Sequence, residues 1–311
     1  MSGSPTEKLG VDTLVPLLGE INDLKRVYVA GDLTSLASRG FLRAWQTFRK
    51  GEPPDSILWR EVTQAVAGAR LAGINTEVMT RGGLSVAAQR QVYRRTIEEL
   101  RPHLHPTTFA NLLDGIDLLL QPEAHGEEAP PAFALRLAGQ PRAGATRPGH
   151  PRLILEPPEN HADHCYIVAV TSVLVAPFFD ATPELPFLAG LSHHLHNAFM
   201  PDAGFTGEEL LGEHLEGMME AFTSEALQEL HPALQSEIQD ARKLLTHADI
   251  PEAKAFHAAD VLDRVLQMVQ YERVANFTLG QALEDLDLVH PGPLQKFQNE
   301  VLAEAQLWGA K

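Results

Sequence analysis

Apolar side chains recur at spacings of three and four along almost the whole chain, and this period constrains the fold more than any other feature. In "VDTLVPLLGEINDLKRVYVA" the residues Leu14, Leu17, Leu18, Ile21 and Leu24 share one side of a helix. "TSLASRGFLRAWQTFRK" continues the pattern and stops at "GEPPDS", where Asp55 or Ser56 is placed to cap a helix over "ILWREVTQAVAGARLAG". "SVAAQRQVYRRTIEELRPHL" and "TTFANLLDGIDLLL" read as two more helices, punctuated by Pro102 and Pro106. Residues 121–151 carry Pro, Gly, Ala and Glu without a period and read as a linker or insertion. "RLILEP" suggests a short strand, after which helical patterns resume from residue 158 to the end. Runs that alternate β-branched and aromatic residues are few, and no repeat of fixed length is evident. The expected class is all-α, an irregular helical array. An N-terminal helical region (1–120) and a second helical domain (152–311) flank the 121–151 segment.

Charge and cysteine content narrow the functional classes. The net charge of −16 repels a nucleic-acid backbone at long range. The one basic cluster, Arg142, Arg147 and Arg152 in "QPRAGATRPGHPR", reads as a solvated linker, with a phosphate-contacting loop as the alternative. No nucleic-acid partner is expected. No apolar run approaches the roughly 20 residues of a membrane span, and the N-terminal residues lack the pattern of a signal peptide. Cys165 is the single cysteine, which leaves no partner for an intrachain disulfide. These features together lead to the expectation of a cytoplasmic protein with no membrane partner.

Three segments carry chemistry. In "ENHADHCYIVAV", His161 and His164 are one helical turn apart, and His164 precedes Ile167, Val168, Val170 and Val173, which require burial. A core histidine hydrogen-bonded to a backbone carbonyl explains it as well as a ligand does. In "LSHHLHNAF", a continuous helix puts His193, His196 and Asn197 on one face with His194 rotated by about 100°. Two adjacent imidazoles can still converge on an ion between their directions. In "AKAFHAADVLDRVLQMVQYE", the buried stripe is Ala255, Ala258, Ala259, Leu262, Val265, Leu266 and Val269. Asp260 sits beside Ala259 and Val261, where an unpaired carboxylate is costly. A surface carboxylate is the plainer alternative.

Taken jointly, a histidine, a histidine pair and a later aspartate on separate helices resemble the HD-domain metal-dependent phosphohydrolases. The 5′-deoxynucleotidase-like branch is the most similar. The stretch Pro158-Glu-Asn-His-Ala-Asp-His164-Cys-Tyr-Ile-Val-Ala169 resembles the branch's first-histidine motif, and "KAFHAADVLDRVLQMVQYE" its aspartate helix. The resemblance covers roughly residues 155–275 and extends to "EINDLKRV" through Arg26. Two departures stand out. His194 replaces the metal-binding aspartate of the His-Asp pair, and Asn197 replaces a glutamate; Asp202 falls where the branch has a second acidic residue.

The resemblance implies an HD-like irregular helical array in which His164, His193, His194 and Asp260 bind one divalent ion. Three imidazoles and one carboxylate suit Mn, Co, Fe or Zn better than Mg. It also implies hydrolysis of a small phosphomonoester, such as a nucleoside 5′-monophosphate, by a metal-activated water. Asp202 and the Asn197 position would serve the catalytic step, and Arg26 and His161 would hold the phosphate. A degenerate member that binds metal or nucleotide without turnover is the competing implication. The N-terminal helices carry no chemical motif; Trp45, Trp59 and Tyr93 read as core. Those helices are expected to cap the site, pack on the HD-like half or form a homodimer.

Overall fold

In the computed structural model the described residues are 10–121, 129–144, 147, 149, 152, 156–247, 249–275 and 278–309. Among the described residues fourteen α-helices follow one another and no strand occurs; Tyr28 with Ser35 and Pro141 with Asn160 form isolated bridges. The N-terminal half contains α1 (Val15–Asn22), α2 (Leu36–Arg49), α3 (Pro54–Leu71), α4 (Thr76–Arg81), α5 (Val86–Glu98) and α6 (Pro106–Leu120). Next come α7 (Ala132–Gly139), α8 (His161–Val175), α9 (Glu184–Ser192), α10 (Gly204–Leu211), α11 (Leu215–Leu227), α12 (Pro232–Arg242), α13 (Pro251–Ala275) and α14 (Gln295–Glu304). The class is all-α, as the periodicity implied.

Helix α8 is the axis of the molecule. All fifteen of its residues are buried, which fits a helix that is apolar on every side. It packs against α9 and α13 on one flank and α2 and α7 on another. Its N-terminus is fixed by Asn160, whose side chain accepts from the Asp163 amide at 2.8 Å. The stretch His161–Phe179 is long and apolar enough to match a membrane span, contrary to the expectation from the sequence, but most of it lies inside the protein. Burial against neighbouring helices accounts for its composition.

Several local expectations change. The 121–151 segment is not irregular throughout. Residues 132–139 form α7, with Phe133, Ala134 and Leu137 buried; three apolar anchors in eight residues are too short a run to show a period. No side chain caps α3: Pro53 is its N-cap and Pro54 its first helical residue, ahead of Asp55 and Ser56. Residues 153–155, the centre of "RLILEP", lie outside the described residues. The N-terminal helices pack on the second half of the chain, with α1 and α2 against α13 and α8. Trp45 and Tyr93 are fully buried and Trp59 partly so.

The α8–α9 contact is backbone-close. A Cβ at Gly190 would lie 2.5 Å from Ala169 Cα and 2.6 Å from Ala169 N. Gly190→Ala is therefore expected to push the two helices apart and cost about 1–3 kcal/mol in urea denaturation. Gly19→Ala on α1, where nothing lies within 4 Å, serves as a control expected to be neutral or slightly stabilising.

Candidate metal centre

Helices α8, α9 and α13 meet at His164, His193 and Asp260. His164 sits in the first turn of α8 and is fully buried. Helix α9 ends at Ser192, so His193 and His194 lie in a turn before a 3₁₀ segment, Leu195–Ala198. The continuous helix expected through "LSHHLHNAF" is absent. Arg242 donates to the Ser192 carbonyl at this break, satisfying a free helix-end acceptor. The turn lets both imidazoles point back toward α8: the coordinating atoms of His164, His193 and His194 lie within 4.8 Å of one another.

The tautomers follow from the neighbours. His164 Nδ1 lies 2.7 Å from Asp263 Oδ2. Burial pushes the Asp263 carboxyl up, but the Lys25 ammonium and His164 outweigh it and bring it to about 2. An ionised carboxylate only accepts, so Nδ1 of His164 carries the proton and Nε2 is bare. His193 Nδ1 lies 2.8 Å from the Gly190 carbonyl, so its Nε2 is bare too. These two lone pairs face each other at 3.1 Å, with Asp260 Oδ1 3.3 Å from His164 Nε2.

Two imidazole acceptors facing each other, with a carboxylate beside His164, repel unless a proton or a cation lies between them. Burial and the neighbouring imidazole push His193 well down from its ordinary value, which disfavours the proton. Two nitrogens 3.1 Å apart match the spacing of imidazoles sharing a transition ion at about 2.1 Å. The donor set therefore fits a divalent metal. Burial would raise the Asp260 carboxyl, but Arg264 first, then His164 and His193, hold it well below the usual range. It is thus ionised, with Oδ2 paired to Arg264 at 3.2 Å and Oδ1 turned to His164.

The other residues singled out in the sequence are placed as follows. His194 Nδ1 lies 2.9 Å from Asn197 Oδ1, and its Nε2 lies 3.2 Å from Arg142 Nη1. Asn197 thus orients His194. Asp202 accepts from the amides of Ala143 and Gly204, both at 2.9 Å, and its Oδ2 is 3.7 Å from His161 Nε2. His161 is fully buried beside His194, and neither of its nitrogens has a hydrogen-bond partner. Arg26 is not brought to the cluster. Its guanidinium is bonded to Gln267, Asn22 and Asp23, so the phosphate-holding role expected of it has no geometric basis. Its neighbour Lys25 turns inward instead and bonds Asp263 at 2.8 Å and Glu159 at 2.5 Å.

Sequence reasoning gave Lys25 and Asp263 no role and read Arg142 as part of a solvated linker. Lys25 lies four residues after Ile21 on the stripe that α1 buries, and Asp263 four after Ala259 on the α13 stripe; a charged residue on a buried stripe demands a partner. Arg142 gave no such signal, because its placement depends on α7. Glu159, His164 and Asp263 form a second cluster of metal-ligand type, but its two carboxylates are already paired with the Lys25 ammonium and the Arg142 guanidinium.

Two cavities flank the centre. One, of about 470 Å³, is lined by His193, His194, Asp260, Glu208, Phe205 and His290. The other, of about 340 Å³, is lined by Arg142, Arg152, Arg264, Gln267, Met268 and Tyr271. Arg142, Asp202 and Arg264 border both.

Residues 134–299, just over half of the 311, match the family model of the HD domain. The chain belongs to the HD-domain family. Neither a curated protein nor a solved structure matches it. The match begins within α7, inside the segment read from the sequence as a linker. An HD domain, an all-α fold and a buried His/Asp group able to hold a divalent ion are together the features of the metal-dependent phosphohydrolase superfamily.

Proposed function

We propose that the protein is a metal-dependent phosphohydrolase acting on a small phosphomonoester, of the class of nucleoside 5′-monophosphates. The observation that carries this reading is the pair of bare Nε2 atoms of His164 and His193, 3.1 Å apart with Asp260 beside them. His164, His193 and Asp260 would hold the ion, with His194 as a further donor; Mn, Co, Fe or Zn suits such a set. When bound, a divalent ion there supplies Lewis-acid activation of a water and of a phosphoryl oxygen. Lys25 and Asp263 keep His164 in its coordinating tautomer. Arg142, Arg152 and Arg264 give the smaller cavity cationic partners for an anionic substrate in a chain of net charge −16. His161, unpartnered beside Asp202, is the nearest candidate to pass a proton.

Metal-loaded protein should release phosphate from deoxynucleoside monophosphates or an aryl phosphate. Asp260→Ala should lower kcat/KM by about 10² or more, the range seen when a charge-stabilising group is removed. Equal turnover by wild type and Asp260→Ala would set this site aside.

A second reading is favoured by two observations. Asn197 has no acid–base capacity, and both oxygens of Asp202 are engaged by backbone amides. In this reading the chain binds metal and nucleotide without turnover and acts as a regulator. Tight nucleotide binding by the metal-loaded protein with no phosphate release would select it.

A further inference from the structure

The chain itself supplies a competitor for the third imidazole. Asn197 Nδ2 donates to the Met200 carbonyl at 3.2 Å, which turns its Oδ1 toward His194. His194 Nδ1, 2.9 Å from that oxygen, therefore carries the ring proton, and Nε2 is the acceptor. A guanidinium can only donate. Arg142 Nη1, 3.2 Å from Nε2, points into the lone pair that a metal would use. The backbone beneath Arg142 is pinned: its amide donates to the Glu159 carbonyl at 2.9 Å, and Pro141 bridges Asn160. The side chain is less constrained. Arg142 Nε lies 3.3 Å from Glu159 Oε2, the side chain remains 19% exposed, and it borders both cavities.

We propose that Arg142 is an oxyanion-responsive gate on the metal centre. At rest it occupies His194 Nε2, and a tetrahedral oxyanion of the phosphate class entering the cavity draws the guanidinium away and frees that imidazole for the ion. A bidentate charge-assisted pair with a phosphate outcompetes one bond to a neutral imidazole. Oxyanion and divalent ion then bind cooperatively, each tightening the other by the same factor. The inference rests on the metal-site reading above.

The test is a calorimetric titration of the metal-free full chain with Co²⁺, with and without inorganic phosphate. Without phosphate, Arg142→Ala should bind Co²⁺ at least about tenfold tighter than wild type, the scale of one lost hydrogen bond to a charged group. Phosphate should tighten Co²⁺ binding in wild type and do so less in Arg142→Ala. In a His194→Ala background, Arg142→Ala should gain nothing. Arg142→Met, which keeps the side-chain bulk, replaces Arg142→Ala if the latter does not fold. Equal or weaker Co²⁺ binding by the Arg142 variants overturns the gate. So does a gain that persists without His194, since that reports only the loss of a positive charge. Absence of Co²⁺ binding to both wild type and variant overturns the metal reading and the gate with it.

Discussion

Lowering the pH from 7.5 to 5 is expected to reduce the unfolding free energy of the metal-free protein by on the order of 5 kcal/mol. Burial pushes His161, His193, His194, His196, His257 and His290 below their ordinary values, His196 to about 4. A histidine depressed in the fold is protonated first in the unfolded chain. The unfolded state therefore binds the extra protons, and stability is lost as pH falls through the ordinary value of about 6.5 and toward the folded values. For His196, whose folded value is about 4, the fall from 6.5 to pH 5 corresponds to about 2 kcal/mol. Two carboxyls oppose this, Asp163 and Glu208, both raised by burial. Burial raises the Asp163 carboxyl to about 6 against the hydrogen bonds from Ser35 and Ser38, which stabilises the fold as pH falls from about 6 toward 4. Each carboxyl offsets roughly one imidazole, and several remain. Urea denaturation at pH 5, 6 and 7.5 measures the difference; a flat profile would mean that the imidazoles are not buried as described.

Asp263→Ala is expected to be the most damaging single substitution near the site, at about 3–5 kcal/mol. Asp263 is ionised and buried, and it joins Lys25 Nζ at 2.8 Å, Asn22 Nδ2 at 2.9 Å and His164 Nδ1 at 2.7 Å. Removing it leaves the Lys25 ammonium with Glu159 alone, His164 Nδ1 without an acceptor, and Asn22 Nδ2 with only the longer contact to the residue 263 carbonyl at 3.4 Å. Replacing the pair together, Asp263→Leu with Lys25→Met, should recover much of the loss, because no buried charge is then left unpaired. The double variant should nevertheless hold metal about 10–100-fold more weakly than wild type, since nothing fixes the His164 tautomer. Denaturation curves and ¹⁵N shifts of the His164 ring read the two effects separately. If Asp263→Ala is as stable as wild type, the buried network carries no weight.

The parts of this architecture set by local pattern were legible in the sequence. The 3–4 spacing yields most helices, and the apolar run after His164 yields the buried α8. The sequence also singled out His164, His193, His194 and Asp260, which the fold gathers at one place. What escaped was set by distant partners. Lys25 meets Asp263 across 238 residues, and only the packing of α1 on α13 decides that Lys25, not Arg26, points inward. Arg142 reaches His194 because α7 anchors the chain just before it. The break after Ser192 escaped because "LSHHLHNAF" keeps a helical spacing of apolar residues; Arg242, 50 residues downstream, satisfies the helix end there.

The most direct test of the central claim is metal stoichiometry. Metal-free wild type titrated with Co²⁺ should take up one ion per chain, with the d–d absorption of imidazole and carboxylate ligation. His193→Ala and His164→Ala should each lose that uptake while keeping the wild-type helical circular dichroism. If the wild type takes up no ion, or if both variants bind as it does, the imidazoles of α8 and of the turn after α9 do not share a cation.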